Sequence, residues 1–123
     1  MPSRRGSGFE IRRIYDQHDD DGSYRVLVDR LWPRGVTKAD AALDEWAKDV
    51  APSTESRRWY GHDPTKFEQF ARRYLDELKA PGAADAVARL RAIARQRPVA
   101  LLTATRDVGH SGASVLKDVL GTS

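Results

Sequence analysis

At 123 residues the chain has the length for one hydrophobic core and one domain. The absence of cysteine excludes disulfides, thiolate metal sites and a cysteine nucleophile, and no apolar run reaches the length of a membrane span. The formal charge of +3 comes wholly from residues 61–123 (10 basic, 7 acidic), because residues 1–60 carry 11 side chains of each sign; spread in this way it describes a solvated surface more than a nucleic-acid footprint.

Residues 1–8 read as a disordered tail and residues 9–121 as the single domain. The start, Met-Pro-Ser-Arg-Arg-Gly-Ser-Gly, is followed by no apolar core, so the expected location is the cytoplasm. Residues 9–15 read as a first strand interrupted by charges, and residues 16–23 as a polar turn. Aligned as a calcium loop on Gly22, that turn has Gln17 and Val28 where acids belong, which argues against calcium. Residues 24–28 form a second strand that pairs with the first either as a hairpin or through a tight parallel crossover; the sequence leaves both open. Thr37 and Asp40 cap a predicted helix with Ala39, Leu43, Trp46, Ala47 and Val50 on its apolar face, ending at Ala51-Pro52. Ser53 caps a short turn through Trp59.

Asp63-Pro64 then opens a helix whose stripe is Phe67, Phe70, Ala71, Tyr74, Leu75 and Leu78. Pro81-Gly82 breaks the chain. The next helix turns Ala86, Val87, Leu90, Ile93 and Ala94 inward and Arg89, Arg91, Arg95 and Arg97 outward. Residues 99–105 are a strongly buried strand, followed by a polar loop at 106–110 and a last helix carrying Ala113, Val115, Leu116, Val119 and Leu120. The order predicts a small layered α/β domain, its short, mostly parallel or mixed sheet flanked by helices.

Such sheets bind ligands beyond the carboxyl ends of their strands, where helix N-termini converge. One strand end supplies Asp29, Arg30, Trp32 and Arg34; the other supplies Thr103, Thr105, Arg106, Asp107, His110 and Ser111. If the two strands are parallel neighbours, these sets face one crevice suited to a small phosphate- or carboxylate-bearing ligand. The ligand-binding candidates are Arg30, Trp32, Arg34, Thr103, His110 and Ser111, with His110 and Asp29 the candidates for acid–base work. Each has a plainer reading. Asp29 and Arg30 make an internal ion pair, Trp32-Pro33 packs at a rigid turn, Gly35 supplies a backbone conformation and His110 caps a helix.

Histidines at 18, 62 and 110 offer no helical pair for a metal, and no P-loop, dinucleotide turn or nucleophile elbow is present, so no metal or cofactor is expected. Nucleic acid is the second choice of partner, because the arginines of 82–97 are not interleaved with aromatic residues. A purely structural or partner-binding role is the third.

Several blocks match a known family in order: Arg13-Ile14-Tyr15-Asp16, residues 25–35, Trp46 with Ala51-Pro52-Ser53, Gly61-His62-Asp63-Pro64, Phe70 with Tyr74 and Glu77-Leu78, and Leu101-Leu102. Over residues 10–120 the chain resembles the short, YeaO-like branch of domain-of-unknown-function family 488. The resemblance implies a compact α/β domain of the bacterial cytoplasm, distinguished by residues 29–35 and the loop near 107–113; it implies no reaction. One departure is Ser111, where such members carry asparagine beside the histidine. Serine still caps a helix, but an amide contact to a ligand is lost.

Overall fold

The computed structural model describes residues 8–16 and 21–121. Most of the expected tail (1–7), and residues 17–20 of the polar turn with His18, lie outside them.

The sheet is built around the last strand to be synthesised. Strand β4 (Val99–Thr103) is apolar through Leu102 and buried at every position, which suits a strand with neighbours on both edges and cover on both faces. It pairs in parallel with β1 (Phe9–Arg13; Phe9 opposite Val99, Arg13 opposite Thr103) and with β2 (Tyr24–Leu27; Tyr24 opposite Val99, Leu27 opposite Leu102). A two-residue strand β3 (Glu45–Trp46) completes the order β1-β4-β2-β3, all parallel. The first two strands are therefore not paired with each other at all: β4 lies between them, which overturns both the hairpin and the directly paired parallel crossover.

Alternation along the strands splits the core in two. Val26, Val28, Val99 and Leu101 face Tyr74, Leu90 and Leu116, which come from helices α3 (Phe67–Glu77), α4 (Pro81–Ala94) and α5 (Gly112–Gly121). On the opposite face Leu27, Ala100 and Leu102 pack beneath the 29–46 segment, with Trp32, Leu43 and Trp46 over them. Among the described residues no helix is long and apolar enough to cross a membrane.

The predicted helix over 37–50 is the main correction. Thr37 does accept from the Asp40 amide, but α1 covers only Lys38–Ala41 and stops at Ala42, whose backbone is left-handed (φ 48°). Beyond it the Asp44 amide donates to the Arg25 carbonyl (2.8 Å), the Arg25 amide donates to the Asp44 carboxylate (2.8 Å), and the Ala47 amide donates to the Leu27 carbonyl (2.9 Å). These bonds to the open edge of β2 hold residues 44–47 extended, and tertiary pairing overrides helical periodicity. A second correction concerns Pro81-Gly82: Pro81 is in the first turn of α4, where its missing amide costs nothing. A third is Arg91, which is half-buried and donates to the Val119 and Leu120 carbonyls (2.6 and 3.4 Å) at the end of α5.

Candidate functional site

Beyond the carboxyl ends of β2 and β4 lies a cavity of about 850 Å³. Its floor begins with Asp29, the residue after Val28. The Thr103 hydroxyl donates to its Oδ1 (2.7 Å) and the Ala104 amide to its Oδ2 (2.7 Å), so the carboxylate ties the ends of two neighbouring strands together. Its own carbonyl accepts from the Trp46 indole (2.8 Å). Burial pushes the Asp29 carboxyl up; the two donors and the charges of Arg57 and His62 pull it back only in part, so it stays above the ordinary aspartate value.

Arg30 turns away from Asp29, and the expected ion pair between them is not formed. Arg30 donates from Nε to the Pro52 carbonyl (2.9 Å) and from Nη2 to the Ala51 carbonyl (3.3 Å). That anchors the segment leading into helix α2 (Thr54–Tyr60), which sequence periodicity registers only as a short turn. The same proline meets the start of α5: a Cβ on Gly112 would lie 2.9 Å from Pro52 Cγ, so glycine is what permits the close approach. Trp32 donates to the Val36 carbonyl (2.7 Å) and sets its ring edge-on to Trp46, with centroids 5.3 Å apart, in a turn where Gly35 has φ +78°. Arg34 is exposed at the rim, and its carbonyl accepts from the Tyr15 hydroxyl (3.1 Å).

On the β4 side, Thr103 is buried with its hydroxyl committed to Asp29 and to the Thr105 amide (3.1 Å). Ser111 is also buried; it donates to the Val108 carbonyl (2.6 Å) and accepts from the Ser114 amide (3.3 Å), which makes it a cap of the helix that follows. His110 stands apart. Its Nδ1 lies 2.9 Å from Asp107, its ring is edge-on to Phe67, and its carbonyl accepts from Tyr60 (2.6 Å). Of the sequence candidates, Asp29, Arg30, Trp32, Arg34 and Ser111 line the cavity, whereas Thr103 and His110 do not.

The residues that sequence reasoning missed come from α2. Arg57 and Arg58 line the cavity, with His62 just beyond the helix; they join Thr105, Arg106 and Asp107, which the sequence had already placed at the β4 strand end. Five arginines thus surround the space against two acids, Asp29 and Asp107. Among the described residues, none of these five arginines forms an ion pair with a carboxylate. The helix that presents Arg57 and Arg58 is pinned by contacts to α3. Glu77 accepts from the Ser53 amide (2.7 Å), the Ser53 hydroxyl (2.7 Å) and the Ser56 hydroxyl (2.6 Å), while Tyr60 stacks on Phe70 with centroids 4.4 Å apart. The available signal was Ser53 before Thr-Glu-Ser-Arg-Arg-Trp-Tyr and Gly61 after it, a cap and a stop of helical length.

The family model described as "Inactive DUF488-N3 subclade" matches residues 8–123. The "Uncharacterized protein Rv3073c" of Mycobacterium tuberculosis (strain ATCC 25618 / H37Rv) is 46% identical over 110 residues, which are 89% of this chain and 91% of that protein. The "Uncharacterized protein YeaO" of Escherichia coli (strain K12) is 40% identical over 111 residues, 90% of this chain and 95% of that one. No solved structure matches the chain. The resemblance read from the ordered blocks of the sequence is therefore borne out.

Proposed function

We propose, from the premise that this chain belongs to the inactive DUF488-N3 subclade, that its strand-end crevice is a binding site for a small anionic ligand and performs no chemistry on it. The observation that carries the reading is the convergence of Arg30, Arg34, Arg57, Arg58 and Arg106 on one cavity of about 850 Å³, with no carboxylate among the described residues paired to any of them. Arginine presents a planar fork that takes phosphate or carboxylate bidentately, and partial enclosure keeps water from screening the attraction. Gly112 and Ala113, at the start of α5, also line the cavity, where the helix dipole favours negative charge. Binding without turnover is supported by the family's own description and by the position of His110, whose ring is engaged with Asp107 and Phe67 rather than with the crevice.

A nucleic-acid role has less support. Of the arginines expected on the outer face of the 82–97 segment, Arg91 is turned toward the end of α5, while the exposed Arg89 and Arg97 make surface contacts with Glu45 (2.5 Å) and the Gly22 carbonyl (3.0 Å).

The test is a thermal-shift comparison of wild type with the Arg57→Ala/Arg58→Ala double variant, using inorganic phosphate, citrate and a short oligonucleotide. A ligand at about a hundred times its dissociation constant adds roughly 2.7 kcal/mol, a visible rise in melting temperature. The expected result is a rise with a small anion that the double variant loses while its unliganded melt stays close to wild type. A response to the oligonucleotide alone, falling steeply with salt, would transfer the assignment to nucleic acid. No response to any of the three sinks the reading.

A further inference from the structure

One side chain in the crevice does not fit a site for a bare anion. Asp29 is a half-buried carboxylate on the lining of a cavity whose other charges are mainly arginines; Arg57 and His62 are near enough for their charge to act on it, but among the described residues it forms no ion pair. An ionised carboxylate has about four acceptor positions on its two oxygens. Thr103 fills one position on Oδ1 and Ala104 one on Oδ2. Arg30, its sequence neighbour, is held by the carbonyls of Ala51 and Pro52. Acceptor capacity is therefore left over at the floor of the cavity. A ligand atom arriving there must donate a hydrogen bond, because a second anion would be repelled.

The surroundings decide what kind of donor. An ammonium group would meet Asp29 favourably but would enter a space ringed by five arginines, which penalises added positive charge. A neutral hydroxyl incurs no such penalty. The volume is also far larger than one phosphate requires and lies in the range of pockets that enclose whole small molecules. A doubly charged phosphate uses the arginine set more fully than a single carboxylate.

Taking the anion-site reading as its basis, we infer that the ligand is a phosphorylated polyol, its phosphate held by the arginines of α2 and of the loop after β4 and a hydroxyl received by Asp29. Arg57, Arg58 and Arg106 are the phosphate side of the site. Asp29 is the hydroxyl side, fixed in place by β4 and by the Trp46 indole on its carbonyl.

The experiment is titration calorimetry of the full chain with ribose 5-phosphate and with n-pentyl phosphate, which share one phosphate and five carbons and differ in hydroxyls and the ring. Wild type is expected to bind the ribose ester about tenfold or more tightly, the worth of one or two well-placed hydrogen bonds. Asp29→Asn is expected to remove most of that preference, with pentyl phosphate held no more weakly than by wild type because a negative charge has left the cavity. If Asp29→Asn does not fold, the wild-type ratio alone decides. Equal affinity of wild type for the two esters overturns the polyol assignment and leaves the anion site standing. Binding of neither, together with no response to inorganic phosphate or citrate, removes both.

Discussion

Arg30 shows how a side chain that marks a site in sequence can have structural work to do there. Two of its donors are spent on the Ala51 and Pro52 carbonyls, so the guanidinium fastens the end of β2 to the segment entering α2. Removing it strands two partly buried acceptors, which costs about 1–3 kcal/mol. Arg30→Ala is therefore expected to lower the urea midpoint clearly, whereas the exposed Arg58→Ala change leaves it nearly unmoved. Equal midpoints for the two variants would show that the carbonyl contacts contribute nothing. The strand-end block at 29–35 was legible because an apolar run ends abruptly in polar residues. The partners of those residues were not. Arg30 finds its acceptors 21 and 22 positions away, and the carboxylate of Asp29 finds Thr103 at a separation of 74. Only folding creates such adjacency, which is why a neighbour in sequence was the natural but mistaken partner for Arg30.

At the scale of elements, α2 is short and depends on an anchor from outside itself. Seven residues are too few for a helix to persist alone in water. Ser53 caps it through the Ser56 amide (3.1 Å), and Glu77 of α3 holds both serines. Burial tends to raise the Glu77 carboxyl, but the hydrogen bonds from Ser56 and Ser53 and the nearby charge of Arg73 outweigh it, so its folded value lies below the ordinary one. A carboxyl lowered by folding stabilises fully above its unfolded value, about 4.3, and loses that contribution as pH falls through the folded value. Glu77→Gln keeps one acceptor where two oxygens took three bonds. It is expected to cost about 1–3 kcal/mol at neutral pH, with the gap to wild type closing below about pH 4. Chemical denaturation of both proteins at several pH values measures this, and a gap independent of pH would contradict the role given to the charge. The helix after residue 63 was readable because the Asp63-Pro64 start and most of its stripe (Phe70, Tyr74 and Leu78) agree with packing, although Leu75 is exposed. The 37–50 segment carried an equally good stripe, but Trp46 serves a different contact, edge-on to Trp32 over the second face of the sheet. A period of 3.6 in the sequence does not reveal that an unpaired strand edge will compete for the same backbone.

Across the whole molecule, strand order ties stability and site together. β4 is the last strand in the chain and lies between β1 and β2, which have no contact in the sheet without it. Residues 1–97 can therefore form only the short β2–β3 pairing of two register positions, and they lack α5, which covers one face. They also lack Thr103 and Ala104, so Asp29 loses both donors that fix it. Long-range parallel pairing of this kind makes folding a single cooperative event. In the full chain, urea unfolding followed by tryptophan fluorescence, which samples Trp32, Trp46 and Trp59, is expected to coincide with the far-ultraviolet circular dichroism transition. A fragment of residues 1–97 is expected to show no cooperative transition and no response to phosphate. Coincident transitions in that fragment would mean that β1, β2 and the first four helices form a folding unit of their own. The crevice would then be an addition made by β4 and α5 to an existing scaffold. Their absence means that the strand inserted at the centre creates the sheet and the site in the same step.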